Sequence, residues 1–277
     1  MIKVYRSSES VVISAGDRLY EHPSLCFDGI FQAEDPEHYL EQAMREATPA
    51  SSDVLDRSEW LPPLASQEVW AAGVTYFRSR EARMEESETA GGDVFYDKVY
   101  EAERPELFFK STPGKARGHG APICIREDST WDVPEPELTI AINQHGRVFG
   151  YTIGDDVSSR SIEGENPLYL PQAKVYRGSC ALGPALCVCD PLPRETAIQL
   201  RIHRGEQVAF EDQTALTQLK RTFEELAEFL FRDNEFPEGC WLMTGTGIVP
   251  SADFTLQSGD VVRISIDGLG VLENTVE

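Results

Sequence analysis

Apolar residues in this chain come in short runs rather than long periodic blocks. ELFFK (106–110), PICIR (122–126), ELTIAIN (137–143), RVFGYTIG (147–154), ALGPALCVC (181–189), AIQLRIH (197–203), EQVAFE (206–211) and DVVRISIDGLG (260–270) recur with Gly, Pro or Asp between them. Runs of this length bounded by turn formers read as strands, and their density predicts sheets that roll or sandwich. One helical stripe interrupts them: Leu219, Phe223, Leu226 and Leu230 fall on one face of TQLKRTFEELAEFLFRD, a spacing that belongs to a core-facing helix. The expected class is mostly β with some helices, α+β.

Residues 1–65 read as a small leading α+β module. Residues 3–5 and 11–14 form short strands, and Asp35-Pro36 opens an amphipathic helix carrying Tyr39, Leu40, Ala43 and Met44. Ser51-Ser52 and Leu61-Pro62-Pro63 supply a linker, and residues 66–277 form the larger, catalytic unit. It starts with VWAAGV (69–74), a buried strand. The charged stretch that follows, 78–106, has a Gly91-Gly92 break and no apolar run. It reads either as a lid over a site or as a solvated charged face.

Composition narrows the function. Hydrophobic residues make up 41% of 277, enough for a core, and 25 Lys plus Arg against 47 Asp plus Glu give a net charge of −22. A chain this acidic repels phosphate backbones and anionic lipid, so nucleic acid and membrane surfaces are not its partners. The start, MIKVYRSSES, has no apolar core of a signal peptide, and no apolar run is long enough to span a bilayer. Six cysteines without a CxxC pair and five scattered histidines without HxH or HExxH spacing speak against zinc and disulfide frameworks. Reduced thiols in a cytoplasmic protein fit better.

Carboxylates carry the sharper signal. In PEPEL (134–138) Glu135 and Glu137 project from one face of an extended chain, and Pro136 belongs at a strand start or edge. Such a pair is either a solvated acidic edge or a cation site. Asp155 and Asp156 follow the strand FGYTI (149–153), where a loop can present a third acid or simply turn. Three carboxylates without His or Cys would select a hard divalent ion, Mg²⁺, Mn²⁺ or Ca²⁺. Lys174 in QAK and the turn TGTG (244–247) either complete the set or are a surface lysine and an ordinary turn. An ammonium near a metal is poised for proton transfer, and the turn's hydroxyls and N–H groups suit a carboxylate.

In order along the chain, VWAAGVTY (69–76), RPELFFK (104–110), EPEL (135–138), GYTIGDDVSSR (150–160), AKVYRGSCALGP (173–184) and MTGTGIVP (243–250) resemble the fumarylacetoacetate hydrolase superfamily over roughly residues 69 to 270. The resemblance implies a mixed β-roll in which Glu135, Glu137 and Asp156 hold Mg²⁺ or another divalent ion. The family pattern NDVS makes Asp155 the substituted neighbour of the ligand. YEAERPELFFK, PEPEL, ENPLYLPQAK and TGTGIVP are most similar to the branch that dehydrates 2-keto-3-deoxy sugar acids such as 2-keto-3-deoxy-D-arabonate. Carbon–carbon hydrolases of the superfamily carry a His and a Glu where this chain has Ser79 and Ala82, which turns the reading away from hydrolysis.

That branch implies a metal-dependent hydro-lyase acting on a pentonate-like 2-oxo acid. Lys174 is the expected base and Glu106 the expected acid, with Thr246 on the C1 carboxylate and Lys110, Ser79 and Arg78 on substrate hydroxyls. Residues 81–103 would close over the site. A homodimer or homotetramer is the expected assembly. The alternatives are a metal-dependent hydrolase or decarboxylase of acylpyruvates or other 2,4-dioxo acids, and a non-enzymatic, ion-binding oligomerisation module.

Overall fold

The computed structural model describes residues 1–56, 60–78 and 99–277. The leading segment folds as three antiparallel strands, β1 (Ile2–Arg6), β2 (Val11–Ala15) and β3 (Arg18–His22), followed by α1 (Phe27–Gln32), α2 (Pro36–Glu46) and β4 (Thr48–Ala50). Asp35 caps α2 as its side chain accepts from the His38 N–H at 3.0 Å, and Pro36 occupies the first turn, where its missing N–H costs nothing. Leu40 and Ala43 point inward, while Tyr39 and Met44 are half-buried at the edge of the same core. The strand β3 has no counterpart in the sequence reading, because RLYEH is too polar to register as an apolar run.

The remainder supplies β5 (Glu68–Gly73), β6 (Glu106–Ser111), β7 (Ala116–Arg117), β8 (Asp132–Val133), β9 (Pro136–Ile142), β10 (Val148–Asp156), β11 (Ser158–Ser159), α3 (Arg160–Glu165), α4 (Leu170–Lys174) and β12 (Cys180–Val188). After these come β13 (Ala197–Arg204), β14 (Gln207–Ala215), α5 (Phe223–Phe231), β15 (Cys240–Met243), β16 (Val261–Ile266) and β17 (Gly270–Thr275). One large mixed sheet runs in the order β4-β3-β2-β1-β12-β10-β9-β15-β5-β6, with β7 parallel alongside β12. A four-stranded antiparallel sheet, β14-β13-β16-β17, packs across it. The mostly β expectation and the rolled mixed sheet therefore hold. The leading strands are continuous with the large sheet, since β1 pairs antiparallel with β12 through Ile2–Val188 and Val4–Leu186.

Burial follows strand period. Leu138, Ile140 and Ile142 of β9 meet Ile198, Leu200, Ile264 and Leu226 between the two sheets, whereas Ala141 joins Phe31, Leu40, Val69, Leu182 and Trp241 on the other face. With both faces covered, β9 is buried throughout and reads as a nearly continuous apolar run.

Two predicted elements differ. The helix expected from Leu219 starts at Phe223, because Thr222 accepts from the Glu225 N–H and caps it there. Leu219 is buried just outside it. PICIR forms no strand. Ile123 makes only an isolated bridge to Val276, and Cys124 N–H donates to Gly178 O. The charged stretch expected to form a lid lies outside the described residues from 79 to 98.

The acidic excess sits outside the core. Glu37, Glu41 and Glu46 line the outer face of α2, and Glu206, Glu211 and Asp212 crowd the exposed strand β14 and its turn. Like charge at this density opposes compaction, and salt screens it within a few ångströms. Thermal unfolding followed by circular dichroism should show a Tm about 5 °C or more higher in roughly 2 M KCl than in roughly 0.1 M. An unchanged Tm would mean that the acids are already locally balanced.

Candidate active site

The site grows from the start of β9 and the end of β10. The two strands pair antiparallel with Asp155 opposite Pro136 and Gly154 opposite Glu137. Pro136 has no N–H to offer, and the chain is tied instead by Asp156 N–H to Glu135 O at 3.0 Å and by Glu135 N–H to Asp155 Oδ1 at 3.1 Å. Glu135 and Glu137 share one face, as the i, i+2 spacing requires, and Asp156 is delivered beside them. One carboxylate oxygen from each of the three lies within 4.8 Å of the other two, and all three residues are buried. The solvated acidic edge is thereby excluded. Asp155 points to the opposite side of β10 from Asp156.

Lys174 is the last residue of α4 and is wholly buried. Its ammonium donates to Glu135 Oε2 at 2.7 Å, Asp156 Oδ2 at 3.0 Å and Ser158 Oγ at 2.6 Å. Lys110, near the end of β6, stands behind the carboxylates: its ammonium pairs with Asp156 Oδ1 and donates to Lys174 O at 2.6 Å and Val157 O at 3.2 Å. With three protein acceptors on a fully buried ammonium, Lys110 is turned away from the cleft, contrary to the expected contact with substrate hydroxyls.

The turn after β15 closes the other side. Gly245 N–H donates to Glu137 Oε2 at 2.5 Å, and Thr244 O accepts from Thr75 Oγ1 at 2.6 Å. Gly245 has φ of +93°, and a Cβ there would overlap the Thr75 hydroxyl, so only glycine brings this N–H to Glu137. Thr246 lines the cleft, its hydroxyl donating to Ile248 O at 3.1 Å. Glu106 opens β6 directly opposite Gly73, a cleft-lining residue. A Cβ at position 73 would overlap the Glu106 carboxylate, which therefore lies flat against the cleft's rim. Arg78 is exposed, and Ser79 lies outside the described residues.

Three polar residues belong to the site without having been singled out in the sequence. Ser158 accepts from Lys174 and donates to Asp156 O at 2.7 Å. Arg160, buried at the start of α3, reaches Glu135 Oε1 at 3.2 Å, and Glu163 one turn on lies 3.7 Å from Arg160 and 3.4 Å from Lys174. The i, i+3 pairing within RSIE was the available signal, but in so short and polar a helix it looks like a solvated face.

Charge is uneven here. Five buried carboxylates (Glu135, Glu137, Asp155, Asp156 and Glu163) stand against three buried cations, Lys110, Arg160 and Lys174. Burial, reinforced by Asp156 and Glu135, holds Glu137 well above the usual carboxylate range, with Lys174 and the Gly245 N–H opposing. Burial, with the Asp156 charge next to it, pushes Asp155 up to about 8. An excess of two negative charges among hard oxygen donors fits a divalent cation of the Mg²⁺, Mn²⁺ or Ca²⁺ type, and without one, protons must answer it.

Comparison with known proteins agrees with this geometry. The family model described as fumarylacetoacetate (FAA) hydrolase C-terminal matches residues 69–277. The chain belongs to the fumarylacetoacetate hydrolase family. Within that family it is 49% identical over 218 residues to a probable 2-keto-3-deoxyxylonate dehydratase of Haloferax volcanii, covering 77% of this chain and 73% of the relative. It is 44% identical over 218 residues to the 2-dehydro-3-deoxy-D-arabinonate dehydratase of Saccharolobus solfataricus, covering 78% and 73%. Among solved members of the family, a 2-keto-3-deoxy-D-arabinonate dehydratase complexed with magnesium and 2,5-dioxopentanoate superposes with a TM-score of 0.83 at 33% identity, covering 100% of this chain and 98% of the other.

Asp155 makes the pH behaviour testable. Its folded value of about 8 lies above the ordinary 3.8, so its ionisation favours the unfolded chain, and its contribution to stability is lost as pH rises toward 8. Asp155→Asn keeps an oxygen for the Glu135 N–H and has nothing to ionise. In chelator-treated protein the Tm of Asp155→Asn minus that of wild type should therefore grow from about pH 5 to about pH 8 and level off above. A difference independent of pH would place the strain elsewhere.

Proposed function

We propose that this protein is a divalent-metal-dependent dehydratase of a 2-keto-3-deoxy sugar acid of pentonate type, a hydro-lyase that yields a 2-oxo acid semialdehyde. The carrying observation is a buried lysine in hydrogen-bond contact with two members of a three-carboxylate cluster, at a cleft whose lining residue Gly73 packs against the Glu106 carboxylate. The dehydratases among its relatives support the substrate class, and the magnesium and 2,5-dioxopentanoate bound in one of them support the metal and the product. Ser79 and Ala82, at the positions of the hydrolases' His and Glu, leave no dyad to activate water for carbon–carbon cleavage.

Glu135, Glu137 and Asp156 would hold Mg²⁺, with Mn²⁺ or Ca²⁺ as substitutes, through one oxygen each. The ion supplies Lewis acidity to the 2-oxo group and so acidifies the neighbouring C3–H. Lys174, as the neutral amine, takes the C3 proton, and Ser158 orients it. Glu106 gives a proton to the C4 hydroxyl, which departs as water and leaves a C3–C4 double bond. A proton then moves from C5 to C3 to give the C4–C5 enol, whose hydroxyl proton passes to C4 to leave the aldehyde at C5. Thr246 and the turn before it orient the C1 carboxylate, and Arg78 meets the substrate's outer hydroxyls. Lys110 acts through others: it fixes Asp156 and the Lys174 carbonyl in one arrangement, which keeps the base and the ligand in register.

The match beginning at residue 69 supports 66–277 as the catalytic unit, preceded by a 1–65 domain. No helix among the described residues is long and apolar enough to cross a membrane. We read the assembly as a homodimer or homotetramer and the location as cytoplasmic, a reading that the six free cysteines support.

Incubation with 2-keto-3-deoxypentonate and Mg²⁺ should release a semialdehyde detectable through an aldehyde dehydrogenase, with activity lost to chelator and restored by Mg²⁺. Pyruvate release from an acylpyruvate instead would sink the dehydratase reading in favour of hydrolysis. Lys174→Met and Glu106→Gln should each lower kcat by roughly 10²-fold or more, the scale of general acid–base catalysis. Gly73→Ala should mimic Glu106→Gln by displacing that carboxylate, leaving Mg²⁺ affinity within about twofold of wild type. Calorimetry and steady-state kinetics on the three variants decide the roles, and full turnover in any one removes its assignment.

A further inference from the structure

Two buried cations bridge the same two carboxylates. Arg160 lies 3.2 Å from Glu135 Oε1 and 3.7 Å from Glu163 Oε2, and Lys174 lies 2.7 Å from Glu135 Oε2 and 3.4 Å from Glu163 Oε1. The four side chains close a ring of alternating charge, with Glu135 at the cleft and Glu163 at the opposite pole on α3. Every member is at most 5% exposed, so solvent screens the ring very little. Both oxygens of Glu135 thus face a protein cation, each of which competes with any ion that Glu135 would help to hold.

We infer that Glu163 is a positioning residue that draws Arg160 and Lys174 off Glu135 and so keeps Glu135 available to a divalent cation. The inference rests on the reading of Glu135 as a ligand. Glu163 is absent from the cleft wall and acts through the two cations. With Glu163 neutral, Arg160 and Lys174 lose a carboxylate that they share, and their attraction concentrates on Glu135 and, for Lys174, on Asp156. The five-to-three balance of charge also falls to four-to-three, which removes half of the excess that attracts a dication. A purely structural Glu163 would instead hold α3 in place and leave the balance at the cleft unaffected.

The two roles separate in a charge-compensation cycle. Mn²⁺ is titrated calorimetrically into chelator-stripped wild type, Glu163→Gln, Arg160→Gln and the double variant, with metal-free Tm as a folding control. Glu163→Gln should bind Mn²⁺ about tenfold more weakly, as loss of a residue supporting a ligand does. Removing Arg160 as well should restore affinity to within about threefold of wild type, because the surplus positive charge leaves with it. Binding by Glu163→Gln within about twofold of wild type, or a double variant weaker than Glu163→Gln, would overturn the inference. Should Glu163→Gln fail to fold, the comparison is between Arg160→Gln and the double variant. Arg160→Gln alone should then bind Mn²⁺ the more tightly, and equal or weaker binding overturns the inference. Absence of Mn²⁺ binding by wild type would instead sink the metal reading itself.

Discussion

Carboxylates brought within reach of one another inside a protein raise each other's affinity for protons until some positive charge answers them. Here the answer is built from three sides. Lys110 stands behind Asp156, Lys174 donates into Glu135 and Asp156, and Arg160 meets Glu135 from α3. These cations fall short of full compensation, and burial, reinforced by the neighbouring carboxylates, holds Glu137 and Asp155 above the usual carboxylate range. That deficit is the property a dication reads.

The fold serves this arrangement by delivering side chains from segments far apart in sequence to one point. The β9–β10 hairpin sets three acids in register, α4 ends on Lys174, and the turn after β15 brings one backbone N–H to Glu137. Each contributor is held by an element that is itself buried on both sides or tied by a backbone bond, as a site requires whose groups must stay within tenths of an ångström. The β6 strand serves twice, carrying Glu106 at the rim and Lys110 in the interior. Its length separates the residue proposed to touch substrate from the one that holds the site together.

Much of this was legible in the sequence, for definite reasons. Period-2 geometry put Glu135 and Glu137 on one face whatever the tertiary structure, and Asp35-Pro36 carries its cap and its first turn in the residues themselves. The grouping of Asp156, rather than Asp155, with the two glutamates came from the family pattern, and strand alternation in β10 gives it a physical basis. Lys110 misled because a cation ending ELFFK looks the same whether it faces solvent or a buried carboxylate. Burial, which decides between them, is a property of the whole roll. Arg160 and Glu163 were hidden for the same cause: the four polar side chains of a six-residue helix gain their meaning only from what lies beneath. The Ser79 neighbourhood lies outside the described residues, and its reading remains one of sequence pattern.

The chain's lysines are few, and their placement has a practical side. Only Lys3, Lys98, Lys110, Lys115, Lys174 and Lys220 occur, and Lys110 and Lys174 are wholly covered, whereas Lys115 and Lys220 are exposed and Lys3 half so. Amine-directed acylating reagents, crosslinkers and activated resins therefore meet the outer lysines first and the two interior ones only if the protein opens. Attachment chemistry aimed at primary amines would tether the folded molecule by its periphery, and modification of Lys110 or Lys174, read by peptide mapping, would serve as a reporter of unfolding.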